Sequence, residues 1–401
     1  MNLSAGYPLW LIRDGIPFDY PKLERHARAD VVVMGGGISG ALMAYYLQQA
    51  GVDTMVVDGR TVGFGSTCAS TSLLQYEIDT PLSRLQQMIG ERNANRAYVL
   101  CAEAIGKLSD LAGKTRFGNF SGAKSIYYAA STSHIPLLLE ELDARKKAGM
   151  DLHWLDEQDL AKQFGINAPA AIISSLAAQT DAYGLTHALH QYNIARGVAV
   201  YDRTFITHTD TQRNGVVLTT REGYHIHCKK LVYATGYETV NLLDKKIVKL
   251  ISTYAIAGEQ STASVFPVKD ILLWSTATPY LYARTTADQR VIVGGRDEDY
   301  YSPVKRDALI MRKTRQLSND IRKLVPGIVF RPEFSWAGTF GSTKDGLPFI
   351  GAYRPLPHCF FALGFGGNGI TFSQVAAEIV TALIKGKKHK DAALFSFDRI
   401  A

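Results

Sequence analysis

The residues with chemistry to offer begin at Asp30, where DVVVMGGGISGALMAYYLQQAGVDTMVVD runs to Asp58. Gly35, Gly37 and Gly40 carry G-x-G-x-x-G spacing directly after the apolar run Asp30 to Met34. Asp58 closes a second apolar run, Val52 to Val57. In such a pattern the first glycine permits a tight turn, the second lets a pyrophosphate reach the backbone, and the third lets helix and strand pack closely. Ile38 and Ser39 open the intervening helix, whose first N–H groups and positive dipole end suit phosphates. Asp58 is placed to accept hydrogen bonds from ribose hydroxyls, and its charge repels a 2′-phosphate. Glycines alone are weak evidence. Strand, glycines, helix, strand and acid in that order predict a dinucleotide site.

Three more stretches offer backbone N–H groups or hydroxyls to a ligand. Gly59 to Ser72, GRTVGFGSTCASTS, replaces apolar periodicity with glycines and hydroxyls, the composition of a segment that lines a polar ligand. The strand Lys230 to Ala234 empties into Thr235-Gly236, a second close approach of backbone to a dinucleotide. Gly364 to Thr371, GFGGNGIT, joins a strand ending at Leu363 to a helix from about Thr371 to Lys385, so a second helix dipole is aimed near the first. His225 and His227 alternate beside Cys228, but two imidazoles on a hairpin with no further ligand set read as solvated side chains, so no metal is expected.

The elements that must position these groups follow from periodicity. Residues 1 to 28 read as an irregular arm punctuated by Pro8, Pro17 and Pro21. Helical apolar spacing covers 81 to 115, 133 to 149 and 186 to 196, and Ser125 to Ala130 reads as a strand. Asn214-Gly215 turns between two strands, and 280 to 296 reads as a hairpin. Lys305 to Leu324 is predicted as one amphipathic helix whose Arg306, Arg312, Lys313, Arg315, Arg322 and Lys323 form a solvated basic face.

With 401 residues, 46% hydrophobic and 20% charged, the chain has room for two domains around substantial cores. The net charge of +7 is dispersed, which argues against a nucleic-acid partner. No apolar run is long enough for a membrane span, and the first residues show no secretory signal. Cys68, Cys101, Cys228 and Cys359 are scattered, as suits a reducing, cytoplasmic setting.

The chain resembles the D-amino-acid-oxidase-like (DAO) family of FAD-dependent oxidoreductases. The blocks that carry the resemblance are DVVVMGGGISG, GSTCAST, TDAYGLTHAL, LVYATG, VIVGGRDED, WAGTFGSTKDGLPFIG and GFGGNGIT, in family order over nearly the full length. Glycine oxidase, monomeric sarcosine oxidase and gamma-glutamylputrescine oxidase-like proteins, which share a PLWL-type leader, are the members it is similar to. The resemblance implies an α/β fold, α+β overall, of the glutathione-reductase type. Its Rossmann-like FAD domain would be discontinuous (1–80, 155–240 and 335–401), with a mainly antiparallel substrate domain (81–154 and 241–334). It further implies that Gly35, Gly37, Ile38, Ser39, Gly40 and Asp58 hold the ADP half, with Gly59 and Arg60 alongside. Gly65, Ser66, Thr67, Ser70, Thr71 and Ser72 would follow the pyrophosphate and flavin edge, Ile206 would meet the adenine, and Ala234, Thr235 and Gly236 the ribose side. Gly338 and the run Gly366, Gly367, Asn368, Gly369, Ile370 and Thr371 would face the flavin.

The departures from the family concern attachment and substrate. Where sarcosine oxidase bonds flavin to a cysteine this chain has Gly338, so FAD is expected to be non-covalent. Gln75 and Thr371 stand where sarcosine oxidase has cationic carboxylate anchors, and Phe340 and Gly367 where glycine oxidase has arginines. A bidentate arginine is the usual carboxylate receiver, so the implied reaction is oxidation of a C–N bond in a small amine or amino-acid derivative. Hydride would pass to flavin N5 and the imine would hydrolyse. Tyr280 matches a substrate-contacting tyrosine, and Arg284 is read either as a substrate contact or as structural. Ile292 aligns with the lysine that assists oxygen in sarcosine oxidase, so the electron acceptor is oxygen or another molecule. Two rivals stay open. One is an FAD-dependent dehydrogenase of a hydroxyacid or polyol, although His134, His153 and His358 lie outside the matched blocks. The other is a flavin-binding RNA-modification component or redox-inactive binding protein.

Overall fold

The structure, a computed structural model, describes residues 1–244, 246–261 and 266–400. Two sheets carry the chain. The eight-stranded sheet holds β2 (Ala27–Met34), β3 (Thr54–Val57), β8 (Ala199–Tyr201), β9 (Ile206–Gln212), β10 (Gly215–Thr220), β11 (His225–Tyr233), β17 (Phe349–Ala352) and β18 (Cys359–Leu363). Its centre runs β18-β11-β2-β3-β8 with all neighbours parallel. Such strands are covered on both faces, which explains why Val31, Val32, Val33, Val56 and Val57 are all buried. Each fully buried valine contributes about 1.5–3 kcal/mol.

The ten-stranded sheet holds β1 (Ser4–Gly6), β4 (Leu73–Gln75), β5 (Phe120–Tyr128), β6 (His153–Asp156), β7 (Ala170–Thr180), β12 (Lys249–Gly258), β13 (Ile271–Ser275), β14 (Leu281–Thr285), β15 (Val291–Glu298) and β16 (Pro332–Ser342). All its pairings are antiparallel except β13 with β5. Two sheets of different type are therefore present, as the fold class implies. β1, β4, β7 and most of β16 fall in segments assigned to the FAD domain, yet they pair in the ten-stranded sheet. A strand's partner lies far along the chain, so local pattern could not reveal which sheet it would join.

Two helices meet above the parallel strands. Ile38–Gln49 starts where the sequence predicts and ends before Gly51 at φ +70°. Gly369–Ile384 follows a short 3-10 turn, Gly366–Asn368. Their first turns touch, with Ser39 Oγ and Ser373 Oγ 2.6 Å apart.

Two expectations need correction. Residues 1 to 28 are not merely an irregular arm. Ser4–Gly6 pairs with β16, and the helix Leu9–Asp14 buries Leu9 and Trp10, whose Nε1 donates to Ser70 O at 2.6 Å. Both elements are too short for periodicity to show. The basic helix is in fact two, Pro303–Ala308 and Ile310–Leu324, and its basic residues are not all solvated. Arg306 is fully buried and donates to Thr339 Oγ1 at 2.8 Å, while Lys313 is buried and donates to Arg296 O at 2.7 Å. Their partners lie on distant strands, beyond the reach of a helical-wheel reading.

Candidate active site

A cavity of about 630 Å³ opens between the two sheets, lined from the end of β2 and the residues just after β3 and β11 on one side and from β12, β13, β14 and β16 on the other. Local backbone demands place the glycines there. Gly35 sits at φ +113°, and a Cβ on it would come within 2.3 Å of Ala234 O. A Cβ on Gly40 would lie 1.8 Å from Gly35 O, so this glycine serves helix-to-strand packing and does not itself line the cavity. A Cβ on Gly37 would meet Thr67 Oγ1 at 2.7 Å, and that hydroxyl accepts from Ile38 N at 3.1 Å.

Asp58 ends β3 and accepts from Gly36 N at 2.6 Å and Arg60 N at 2.8 Å. Burial pushes its pKa up to about 6 in spite of these hydrogen bonds. Arg60 is committed to Glu238 at 2.6 Å. Glu238 lines the cavity too and was not singled out from the sequence.

The structure brings together nearly every predicted cofactor residue. Gly35, Gly37, Ile38, Ser39, Asp58, Gly59, Arg60, Gly65, Ser66, Thr67, Ser70, Thr71 and Ser72 line the cavity, as do Ile206, Ala234, Thr235, Gly236, Gly338, Gly366, Gly367, Asn368, Gly369 and Ile370. Gln75 and Tyr280 also line it. Thr371 does not: it is buried one helical step on, its hydroxyl donating to Asn368 O at 3.0 Å. Arg284 is likewise absent from the lining. It is 2% exposed and donates to Thr71 O at 2.7 Å and Thr180 O at 2.6 Å. These carbonyls occupy its guanidinium, and burial lowers its pKa to about 9. Ile292 is fully buried in an apolar cluster with Trp10, Tyr183 and Trp336 and does not face the cavity. No described residue of β15 lines the cavity.

Sequence reasoning passed over the acids just beyond β4. Glu77 and Asp79 both line the cavity. Glu77 is 4% exposed and accepts from Ser125 Oγ at 2.8 Å, and its Oε2 has no partner. Asp79 is exposed where it lines the cavity, and it accepts from Gly367 N at 2.8 Å. Burial raises both pKa values, opposed at Glu77 by Arg145 and at Asp79 by the Gly367 N–H. Two acids in the run Gln75-Tyr-Glu-Ile-Asp79 were the available signal.

The lining fits FAD. The cradle at Gly35 and Gly37 leaves room only for backbone, two helix N-termini converge, Asp58 stands ready for ribose, and the buried Ser66 Oγ lacks a partner within the protein. Asp58, Ser39, Thr67 and Ser66 would hold its ribose and phosphates.

Comparison with known proteins agrees. The family model DAO, described as FAD dependent oxidoreductase, matches residues 30–383. The chain is 24% identical to glycine oxidase of Bacillus licheniformis, covering 90% of this chain and 95% of the relative. It is 21% identical to gamma-glutamylputrescine oxidoreductase of Escherichia coli K12, covering 92% and 86%. The crystal structure of glycine oxidase from Geobacillus kaustophilus superposes with a TM-score of 0.78 at 20% identity, covering 92% of this chain and 98% of that one.

Proposed function

Because the chain belongs to the DAO family of FAD dependent oxidoreductases, we propose that it oxidises the C–N bond of a small amine, with FAD held non-covalently. The substrate would carry no carboxylate next to the reacting carbon. One observation carries this reading. At Gly367, where a side chain would project toward Tyr280, an ideal Cβ would lie 2.7 Å from Asp79 Oδ1 and 3.2 Å from the Tyr280 hydroxyl. An acid occupies the space, and an α-carboxylate brought there would meet like charge. Among the described residues lining the cavity, the arginine is Arg60, already paired with Glu238. Gln75 and Phe340 also line the cavity and bring no charge. The names of two relatives, glycine oxidase and gamma-glutamylputrescine oxidoreductase, support chemistry at carbon–nitrogen bonds.

Bound FAD supplies the two-electron acceptor. The protein contributes position and field. The N-terminus of Gly369–Ile384 favours negative charge that develops in front of it. Trp274, Tyr280 and Tyr282 line the cavity and would wall the substrate side. For non-covalent attachment, Gly338 lines the cavity and none of the four cysteines does.

Anaerobic mixing with a panel of amines, amino acids and hydroxyacids tests the proposal. Amines without an α-carboxylate should bleach the flavin faster than glycine or sarcosine. Best bleaching by glycine, sarcosine or a hydroxyacid overturns it.

A further inference from the structure

The charge around the substrate side does not balance. Glu141, Glu77 and Arg145 form a buried cluster in which Arg145 Nε donates to Glu141 Oε1 at 2.6 Å, and Nη1 reaches Glu77 Oε1 at only 3.4 Å. Glu141 is further satisfied by the N–H groups of Leu82 and Ser83 at 2.8 and 2.9 Å. Arg145 is therefore largely spent on Glu141. Its guanidinium also lies over the Tyr127 and Trp274 rings at 5.4 and 5.9 Å. Asp79 has no ion pair among the described residues, so three carboxylates stand against one guanidinium.

Glu77 is the buried member with a free oxygen, and a buried carboxylate takes either a proton or a positive partner. The partner has a place to sit. Glu77 Oε2 is unpaired, and both acids line the cavity beside Trp274, Tyr280 and Tyr282. Aromatic faces next to carboxylates attract ammonium groups through quadrupole and charge together. A carboxylate ligand would find no free cation here.

We propose that Asp79 and Glu77, walled by Trp274, Tyr280 and Tyr282, form a subsite for a second, non-reacting ammonium group, so that the substrate is a diamine-like cation. This rests on the amine-oxidation reading above. One amine, neutral, undergoes oxidation; the other, charged, anchors the chain of methylenes at Asp79.

Calorimetry on the reduced FAD-loaded protein, kept anaerobic at about pH 8, compares pentylamine, 1,5-diaminopentane and 5-aminopentanoate without turnover. The diamine should bind at least about tenfold tighter than pentylamine, and the amino acid should bind weakest. Asp79→Asn and Glu77→Gln should each shrink the diamine's advantage while retaining FAD. Equal affinity for pentylamine and the diamine overturns the subsite. So does an advantage that survives both substitutions. If Asp79→Asn does not fold, the wild-type ratio and Glu77→Gln decide. Flavin bleaching of the oxidised protein separates the two proposals. Selective diamine binding without bleaching by any amine sinks amine oxidation and leaves the subsite, whereas bleaching with no charge preference does the reverse.

Discussion

Arg284 shows how a single residue changes meaning with its surroundings. In the sequence it is a cation four positions from a substrate-contacting tyrosine. In the fold it ties the carbonyls of Thr71 and Thr180 together, locking the hydroxyl-rich loop onto β7. Arg284→Leu should therefore destabilise the protein rather than alter substrate choice. Two buried carbonyls left unpaired cost about 1–3 kcal/mol each. Thermal melting should fall, and rates with cationic and anionic substrates should drop in the same proportion. Loss confined to anionic substrates, with melting unchanged, would reinstate a substrate contact. Arg284→Lys should not rescue, because an ammonium lacks the planar fork that reaches both carbonyls.

At the scale of elements, the helix Ile38–Gln49 depends on contact with its neighbours. Gly40→Ala would press a methyl group against Gly35 O and push the helix off β2. Overpacking of this kind costs about 1–3 kcal/mol, and the displaced helix would also move the phosphate cradle. FAD content of the purified variant should fall more than its helical circular dichroism; full FAD occupancy would refute the packing role. The helix Ala182–Ile194 supports the same loop, since His190 Nε2 donates to Gly36 O at 3.0 Å. Burial lowers the pKa of His190, and of His187 beside it, to about 4. Both stay neutral in the fold while the unfolded chain binds protons below its ordinary value of about 6.5. Stability from this source is present at neutral pH and lost as pH falls from about 6.5 to 4. Asp58 and Asp181, raised to about 6 and 7, act in the opposite sense. The measurable quantity is thus a difference. The stability gap between wild type and His190→Gln should narrow by about 1.4 kcal/mol per pH unit across that window. A gap independent of pH would mean that His190 is protonated in the fold.

At the scale of the whole molecule, the cavity joins both sheets, and its contents should report on both. Acid precipitation should leave a colourless pellet and a yellow supernatant, because the described cavity lining presents Gly338 and no cysteine. A yellow pellet would show a covalent link. The acceptor is open to a second test. Ile292 faces away from the cavity, so it says nothing about oxygen, yet no lysine is found among the described lining residues. A fixed cation stabilises superoxide-like charge as it forms. Reoxidation of the reduced protein by air should therefore be slower than by an artificial acceptor dye in stopped-flow mixing, and oxygen outpacing the dye would overturn this.

The parts legible in the sequence were those in which neighbours in the chain are neighbours in space. Asp30 to Asp58 forms a strand, turn, helix and strand of continuous backbone, so spacing alone located the glycine turn and the start of its helix. The hydroxyl-rich loop and GFGGNGIT stretch were found for the same reason. Other features depend on long-range pairing. β7 and β16 entered the ten-stranded sheet because of partners far along the chain. Arg306 and Lys313 became buried because β16 and β15 supply acceptors to them. Glu77 and Asp79 were visible as letters, but their surplus charge was not. That depends on Arg145 being taken up by Glu141 and on Gly367 leaving space for a carboxylate. Electrostatic balance in a cavity is a sum over elements, and only the tertiary structure decides which terms enter it.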